Sequence, residues 1–281
     1  MKRNTILLHM QYNIEGAITM SVDCKIITTS KNTEVYMSGP DKSEGPLPSL
    51  FYFALSGKES LCLDPFNQPV VFLQGNPLRV FSLTLPGHYK GLDPIKAVAF
   101  WEQHLINGQD LITDFVTTTI HTIDELIDEQ YIDPSAIGVI GLSRGSFVAT
   151  HLAARDSRIN TMLSFAPLTD LRKLKEFANV NYSLIQHLDL NAIIPRLINK
   201  TIRFYIGNHD TRVDTESCFR FIQNIVNTAF TQKIRSPKVE LFITPSIGHR
   251  GHGTSPTTFR DGAEWIRHQL LSKLQTSSCH A

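Results

Sequence analysis

The pentapeptide Gly141-Leu142-Ser143-Arg144-Gly145 could hold a serine hydroxyl in position to attack a carbonyl carbon. It follows an apolar run, residues 136–140, and precedes a segment with apolar side chains at helical spacing. A Gly-x-Ser-x-Gly sequence between a buried strand and a helix forms a sharp turn that holds the serine clear of the backbone. Glycine is needed beside it because strand and helix approach too closely for a Cβ atom. Ser143 is therefore predicted to be a nucleophile.

A base and an acid are also expected, because a serine hydroxyl is a weak nucleophile at neutral pH. Asp210 follows one apolar run, residues 202–206, and His249 follows another, residues 239–243. The order Ser, Asp, His along the chain is the one expected after a serine turn of this kind. The sequence thus predicts Asp210 as the acid and His249 as the base.

Both of these assignments leave an alternative open. Asp170 also follows an apolar run and rivals Asp210, although it could equally cap the helix that follows it. His252 lies close to His249 and rivals it as the base. His249 is favoured because it directly follows the glycine turn at Gly248.

The elements that must position these residues are short apolar strands that alternate with helical patterns. Alternation of this kind is typical of a parallel sheet covered by helices. The sequence predicts an α/β fold with a mostly parallel eight-stranded sheet, a hairpin at its start and helices on both faces. The predicted strands are residues 24–28, 34–37, 50–55, 79–83, 136–140, 161–165, 202–206 and 239–243.

Helices are predicted over residues 65–73, with Asp64 as N-cap, and over residues 111–129. Residues 171–198 lack strand character and indicate short helices broken at Pro195. An excursion between two strands is where a cap over an active site would lie, although a surface helical pair without a role in the site fits equally well. No linker divides the chain, so one domain over residues 1–281 is predicted.

These motifs resemble those of the α/β-hydrolase family, and more narrowly its prolyl-oligopeptidase-like and dienelactone-hydrolase-like esterase branch. The resemblance rests on residues 141–145, on Gly248-His249, and on residues 207–213, which are similar to the branch's Gly-x-x-Asp-x-x-Val acid loop. Leu85-Pro86-Gly87-His88 is similar to the family's loop after its fourth strand. The resemblance covers residues 20–275 and implies an α/β-hydrolase fold.

Negative charge that develops on a substrate's carbonyl oxygen needs preorganised N–H donors. The backbone N–H of Arg144 is one predicted donor, because the start of a helix favours an anion. The resemblance implies a second donor in the loop after strand 50–55, where Ser56-Gly57 replaces a common His-Gly pair and Lys58 follows. Lys58 is thus the predicted second donor. The Arg144 side chain is expected in a surface salt bridge, with an acidic substrate group as the alternative.

Composition narrows the possible partners. The chain has 27 Lys plus Arg against 26 Asp plus Glu, so nothing in its charge favours a nucleic-acid partner. Its cysteines lack metal-ligand spacing, and neither a metal nor an organic cofactor is expected. Isolated thiols fit a reducing compartment better than a disulfide framework. The apolar stretch after Lys2 and Arg3 is too short for a signal peptide, and no later one is long enough to span a membrane. A soluble, cytoplasmic protein is expected. The four cysteines are Cys24, Cys62, Cys218 and Cys279.

The residues and the resemblance together predict a hydrolase that cleaves a small-molecule carboxylic ester through an acyl-enzyme on Ser143. Peptidase, thioesterase and acyltransferase activities are alternatives on the same fold. A non-catalytic ligand-binding protein is an alternative of a different class. Ester cleavage is favoured over peptide cleavage because 281 residues leave no room for the large N-terminal propeller of prolyl oligopeptidases.

Overall fold

The computed structural model describes residues 10–12, 18–20 and 22–277. The first two ranges are the antiparallel strands β1 (Met10–Tyr12) and β2 (Ile18–Met20), which pair with each other. Cys279 and the N-terminal segment with Lys2 and Arg3 lie outside the described residues.

An eight-stranded sheet positions the rest of the described chain. Its strands lie in the order β3-β4-β6-β5-β7-β8-β9-β10 across the sheet. Strand β4 runs antiparallel to both of its neighbours, and all other pairs are parallel. The predicted mostly parallel sheet with a hairpin at its start is confirmed. The strands are β3 (Lys25–Thr28), β4 (Glu34–Ser38), β5 (Leu47–Phe53), β6 (Arg79–Ser82), β7 (Ile132–Leu142), β8 (Ile159–Phe165), β9 (Thr201–Gly207) and β10 (Val239–Thr244).

Helices cover the sheet on both faces, as predicted. Buried side chains of α3, α4, α5 and α7 form one apolar core against the sheet, and those of α1, α2 and α8 form a second core. None of the helices in the described ranges is long and apolar enough to cross a bilayer. The helices are α1 (Gly57–Cys62), α2 (Gln68–Leu73), α3 (Ala97–Ile106), α4 (Leu111–Asp128), α5 (Arg144–Arg155), α6 (Tyr182–Ile185), α7 (Thr215–Thr231) and α8 (Pro256–Ser277).

The central strands are apolar along their length because both of their faces are covered. Residues 48–53 of β5 and residues 136–141 of β7 are buried throughout. Strand β10, at the edge of the sheet, instead has exposed and half-buried side chains only. The candidate nucleophile therefore follows the best-packed part of the sheet, whereas the candidate bases follow its edge.

One of the two predicted helices differs in its start. The predicted helix 65–73 begins at Gln68 with Asn67 at the N-cap position, so the assignment of Asp64 as N-cap is wrong. Asp64 instead accepts a hydrogen bond from the Gln68 side chain at 3.3 Å. The predicted helix 111–129 is present as α4, and Asp110 caps it by accepting from the backbone N–H groups of Ile112 and Thr113.

Residues 171–198 form a series of short 3-10 turns around α6 and contain no strand, as predicted. The helix break predicted at Pro195 does not occur at that residue, because Pro195 lies inside the 3-10 turn Leu190–Arg196. Buried Phe177 and Leu188 hold this segment on the apolar core beside α5.

Candidate active site

Ser143 lies in a sharp turn between β7 and α5. Its φ of 55° and ψ of −118° are strained for a residue with a side chain, so surrounding contacts must hold them. The Ser143 N–H donates to the Phe165 carbonyl at 2.9 Å, and the Ser143 carbonyl accepts from the N–H groups of Ser146 and Leu168 at 3.0 and 3.2 Å. This is the strand-turn-helix arrangement that the sequence predicts around the nucleophile.

The two glycines of the pentapeptide are where strand and helix come closest. A Cβ atom on Gly141 would overlap the backbone of Ser146, and one on Gly145 would overlap the carbonyl group of Phe53. The first helical turn of α5 therefore packs directly on β7 and on the end of β5. This close approach explains why both positions lack a side chain.

The Ser143 hydroxyl faces a histidine that a carboxylate orients. Ser143 Oγ lies 2.8 Å from His252 Nε2, and His252 Nδ1 lies 2.7 Å from Asp210 Oδ2. The Asp210 side chain is fully buried, whereas that of His252 is 16% exposed. With the Nδ1–H donating to the carboxylate, Nε2 is left to accept the hydroxyl proton.

The loop after β9 holds the Asp210 carboxylate in place. Asp210 Oδ1 accepts from the backbone N–H groups of Arg212 at 2.9 Å and Val213 at 3.1 Å. The Asp210 N–H donates to Thr215 Oγ1 at 2.9 Å, and that hydroxyl donates to the Gly207 carbonyl at 2.6 Å. One carboxylate oxygen is thus used by the loop itself, which leaves the other for the imidazole.

His249, the predicted base, does not contact Ser143, so this placement is wrong. His249 is exposed and begins a 3-10 turn, His249–Gly251, and the imidazole hydrogen-bonded to Ser143 Oγ is that of His252 instead. The loop closes at Gly253, whose N–H donates to the Ile247 carbonyl at 2.8 Å. The glycine turn therefore brings the second histidine of the loop, His252, to Ser143 rather than the first.

The histidine loop is anchored on the loop that carries Asp210. The Thr211 N–H donates to the Arg250 carbonyl at 2.9 Å, and the His209 N–H donates to Ser246 Oγ at 2.6 Å. Gly251 approaches the His209 carbonyl so closely that a Cβ atom would overlap it. These contacts fix the imidazole relative to the carboxylate.

Asp170, the rival acid, has other partners. Its carboxylate accepts from the Arg172 backbone N–H at 3.0 Å and from the Arg172 guanidinium at 2.9 and 2.8 Å. It therefore caps the turn Leu171–Lys173 and does not contact His252. The structure brings together Ser143 and Asp210, as predicted, with His252 between them.

The two predicted oxyanion donors lie at helix starts, where backbone N–H groups lack an acceptor within the helix. Arg144 is the first residue of α5, and Lys58 is the second residue of α1. The N–H groups of the preceding loop are already used: those of Ala54 and Leu55 donate to Ser60 Oγ at 3.2 and 3.0 Å, and that of Gly57 donates to Thr84 Oγ1 at 3.0 Å. Lys58 stays a prediction.

The Arg144 side chain does not form the expected surface salt bridge. Its Nη1 donates to the Pro94 carbonyl at 3.0 Å and lies 3.4 Å from His88 Nε2, and no carboxylate of the described residues pairs with it. Burial, together with repulsion from Arg212, lowers the pKa of Arg144 to about 10. Burial and the neighbouring Arg144 lower the pKa of His88 to about 4, so neutral His88 can accept from Arg144.

The groups around Ser143 can carry out acyl transfer. A hydroxyl whose proton can pass to an imidazole, itself oriented by a carboxylate, is an activated nucleophile. Across residues 10–12, 18–20 and 22–277, no three His, Cys, Asp or Glu side chains come together as a metal-ligand group.

The fold and the site together define an α/β-hydrolase of the serine type. Residues 101–273, more than half of the 281-residue chain, match the Prolyl oligopeptidase family, so the chain belongs to this family of serine hydrolases. A search among curated protein sequences found no match.

Solved structures from several organisms share this fold. TT1662 from Thermus thermophilus has a TM-score of 0.65 and 16% identity, with 89% of this chain and 99% of that chain covered. The Pyrococcus furiosus esterase Pf2001 has a TM-score of 0.60 and 19% identity, with 89% and 93% covered. A Mycobacterium tuberculosis puromycin-hydrolyzing peptidase has a TM-score of 0.62 and 15% identity, with 90% of this chain but 40% of that chain covered. At these identities the likeness supports the α/β-hydrolase fold.

Proposed function

We propose that this chain hydrolyses small carboxylic esters through an acyl-enzyme on Ser143, with His252 as general base and acid and Asp210 as the orienting carboxylate. The observation that carries the proposal is the continuous hydrogen-bonded series from the serine hydroxyl through the imidazole to the carboxylate, at 2.8 and 2.7 Å. No cofactor takes part in the proposed reaction.

The proposed reaction has two halves. Ser143 Oγ attacks the ester carbonyl carbon while His252 Nε2 accepts the hydroxyl proton, and the resulting oxyanion is stabilised by backbone N–H groups. The carbon–oxygen bond to the alcohol then breaks, and His252 returns the proton to the leaving alcohol. Water attacks the acyl-enzyme in the same way, which releases the acid and restores the serine. Throughout, Asp210 holds the Nδ1–H and stabilises the imidazolium.

The proposed working unit is one α/β-hydrolase domain over residues 1–281, with residues 171–198 as a cap. The eight strands of a single sheet support the first part. The position of residues 171–198 supports their role as a cap. Glu176 of this segment lies near enough to Arg144 to raise the pKa of Arg144, although burial and Arg212 have larger effects in the opposite direction. Asn191 of the same segment also accepts from Asn224 of α7 at 3.0 Å.

Peptide cleavage is the second candidate, and the family match favours it. The same nucleophile, base and acid would attack an amide carbonyl, with His252 protonating the leaving amine. The two candidate activities differ in the leaving group, which is an alcohol for an ester and an amine for a peptide. Rates on p-nitrophenyl esters of graded chain length, compared with rates on blocked peptide anilides, decide between them.

A fluorophosphonate probe tests the proposal directly, because it forms a stable bond to an activated serine. We expect stoichiometric labelling of Ser143, together with turnover of short p-nitrophenyl esters. A folded preparation that is neither labelled nor active would overturn the proposal in favour of a ligand-binding protein.

Replacing Asp210 with asparagine should lower kcat/KM for an ester by about 10⁴-fold, because the side chain keeps its shape but no longer holds the required tautomer. Asp170→Asn is the matched control and should cost little, since Asp170 caps a turn and pairs with Arg172. Steady-state rates of both variants on one ester give the comparison. A greater loss in the Asp170 variant would contradict the proposed role of Asp210.

Lys58 is the proposed second oxyanion donor, and its backbone N–H can be removed without breaking α1. Proline is tolerated in the first turn of a helix, so Lys58→Pro should fold and should lower kcat by about 10²- to 10³-fold. Lys58→Ala keeps the N–H and should retain activity. If Lys58→Ala loses as much activity as Lys58→Pro, the side chain is responsible, and if Lys58→Pro keeps its activity, another N–H group is the donor.

A further inference from the structure

The guanidinium of Arg144 is held beside the candidate nucleophile with part of its donor set unused. Nη1 is anchored by the Pro94 carbonyl and His88. Nε and Nη2 donate to no residue in the part of the chain that the structure describes, yet neither is a fully buried unpaired atom, so both keep access to solvent. The edge of a guanidinium formed by Nε and Nη2 presents two parallel N–H groups, which match the two oxygens of a carboxylate.

A second cationic side chain, that of Arg212, lies close enough to Arg144 to repel it. Arg212 follows Asp210 in the acid loop, where its backbone N–H donates to the Asp210 carboxylate. Its half-buried side chain pairs with no carboxylate among the described residues, and it repels Arg144 strongly enough to contribute to the lowered pKa. Glu176 attracts Arg144, but the two do not come within ion-pair distance.

Two partly buried cations without a close counterion are unfavourable, and a bound anion would remove that cost. Several arginines outside the site pair with a carboxylate, among them Arg158, Arg172, Arg203 and Arg220. Others, such as Arg79 and Arg155, donate to carbonyl or hydroxyl oxygens instead. Arg144 differs from all of these in its position directly after Ser143. We infer that the site accepts esters that carry a carboxylate near the scissile bond, bound by the free edge of Arg144 with support from Arg212.

This inference rests on the proposed ester hydrolysis and adds the substrate class. Arg144 directly follows Ser143, and Arg212 follows Asp210 by two positions, so both arginines extend from the turns that carry the site residues. The carboxylate can lie on either the acyl side or the alcohol side of the ester.

Two substrate pairs, each an anion and its neutral amide counterpart, test the inference. Monoethyl adipate against ethyl adipamate places the charge on the acyl side. Para-acetoxybenzoate against para-acetoxybenzamide places it on the leaving-group side. The quantity measured is the ratio of kcat/KM within each pair. We expect the wild-type protein to favour the anion by about 10- to 100-fold in one pair, the size expected of hydrogen bonds to a charged group.

Variants assign this preference to the two arginines. Arg144→Met keeps most of the side-chain length but removes the charge, and the preference should be lost. Arg144→Lys, which lacks the planar fork, should keep only part of it, and Arg212→Gln should reduce it. Arg220→Gln is the matched control, because Arg220 pairs with Glu216 on an exposed part of α7. It should leave the ratio unchanged.

A measurement on the wild-type protein covers the case in which an Arg144 variant does not fold. Raising the salt concentration from about 0.01 M to about 1 M shortens the screening length from about 30 Å to about 3 Å, so the preference should fall. If neutral esters are hydrolysed but neither pair favours the anion, or if Arg144→Met keeps the preference, the inference is overturned while the proposed function stands. If no ester is hydrolysed and no fluorophosphonate reacts, both are overturned.

Discussion

Replacing Ser143 with alanine should reduce kcat for ester hydrolysis by about 10⁶-fold, the loss seen when a serine hydrolase loses its nucleophile. The reason is that Ser143 Oγ is the atom that would bond to the carbonyl carbon, and it has a single imidazole beside it at 2.8 Å. The main-chain contacts of Ser143 involve its N–H and carbonyl, so alanine preserves them. The fold should therefore survive, and thermal unfolding should be nearly unchanged.

Ser135→Ala is a suitable control for this variant. Ser135 is near the start of β7, at the opposite end of the strand from Ser143, and its hydroxyl donates only to Asp133 at 2.7 Å. Activity should be retained. Loss of fluorophosphonate labelling in the Ser143 variant and its retention in the Ser135 variant would identify the reacting serine. Substantial ester hydrolysis by a pure, folded Ser143 variant would refute the assignment.

Replacing His252 with alanine should be as damaging as losing the serine, about 10⁶-fold in kcat, because the nucleophile and its base act as a unit. His249→Ala is the matched control, since it removes the same side chain three residues earlier in the same loop. His249 is exposed and does not contact Ser143 or Asp210, so its loss should leave most activity. The measurement is kcat/KM of both variants on one p-nitrophenyl ester.

The opposite ranking of these two variants would mean that the loop rearranges when substrate binds and brings His249 inward. Equal losses would indicate that the loop as a whole, rather than one imidazole, is required. Only a large loss in the His252 variant with a small one in the His249 variant agrees with the geometry.

The central strands of the sheet were predictable because they are continuous apolar runs, as expected of parallel strands that are buried on both faces. All eight predicted strands are present, most of them longer than expected, as with β7. Helices α1, α3 and α8 were missed. Helix α1 is short and held by a capping box between Ser56 and Glu59, and α8 carries polar residues through much of its length, so neither has a strong apolar period.

Site residues were predictable where a local motif fixes the backbone. The serine turn and the acid loop each have their own hydrogen bonds, and both contain the residue that was expected. The histidine was not predictable in this way. A 3-10 turn within residues 248–253 places His252, rather than His249, beside Ser143. The Ile247–Gly253 bridge, which pairs residues across this loop, is the signal that decides it, and only coordinates reveal it.

Contacts between distant parts of the chain were also beyond the reach of sequence. Cys24 and Cys62 are scattered in the sequence, yet their Sγ atoms lie 3.0 Å apart. The Arg144 guanidinium meets Pro94 and His88 rather than an acid, because the chain between β6 and α3 passes over the start of α5. Local spacing contains no information about such pairs.

The hydroxyl–imidazole contact joins residues 109 positions apart, and the imidazole–carboxylate contact joins residues 42 positions apart. Ser143 follows β7, Asp210 follows β9 and His252 follows β10, so both contacts require these three strands to be in place. A chain in which β10 has not joined the sheet would therefore lack the imidazole beside Ser143, and a serine-directed probe would distinguish it from the complete fold.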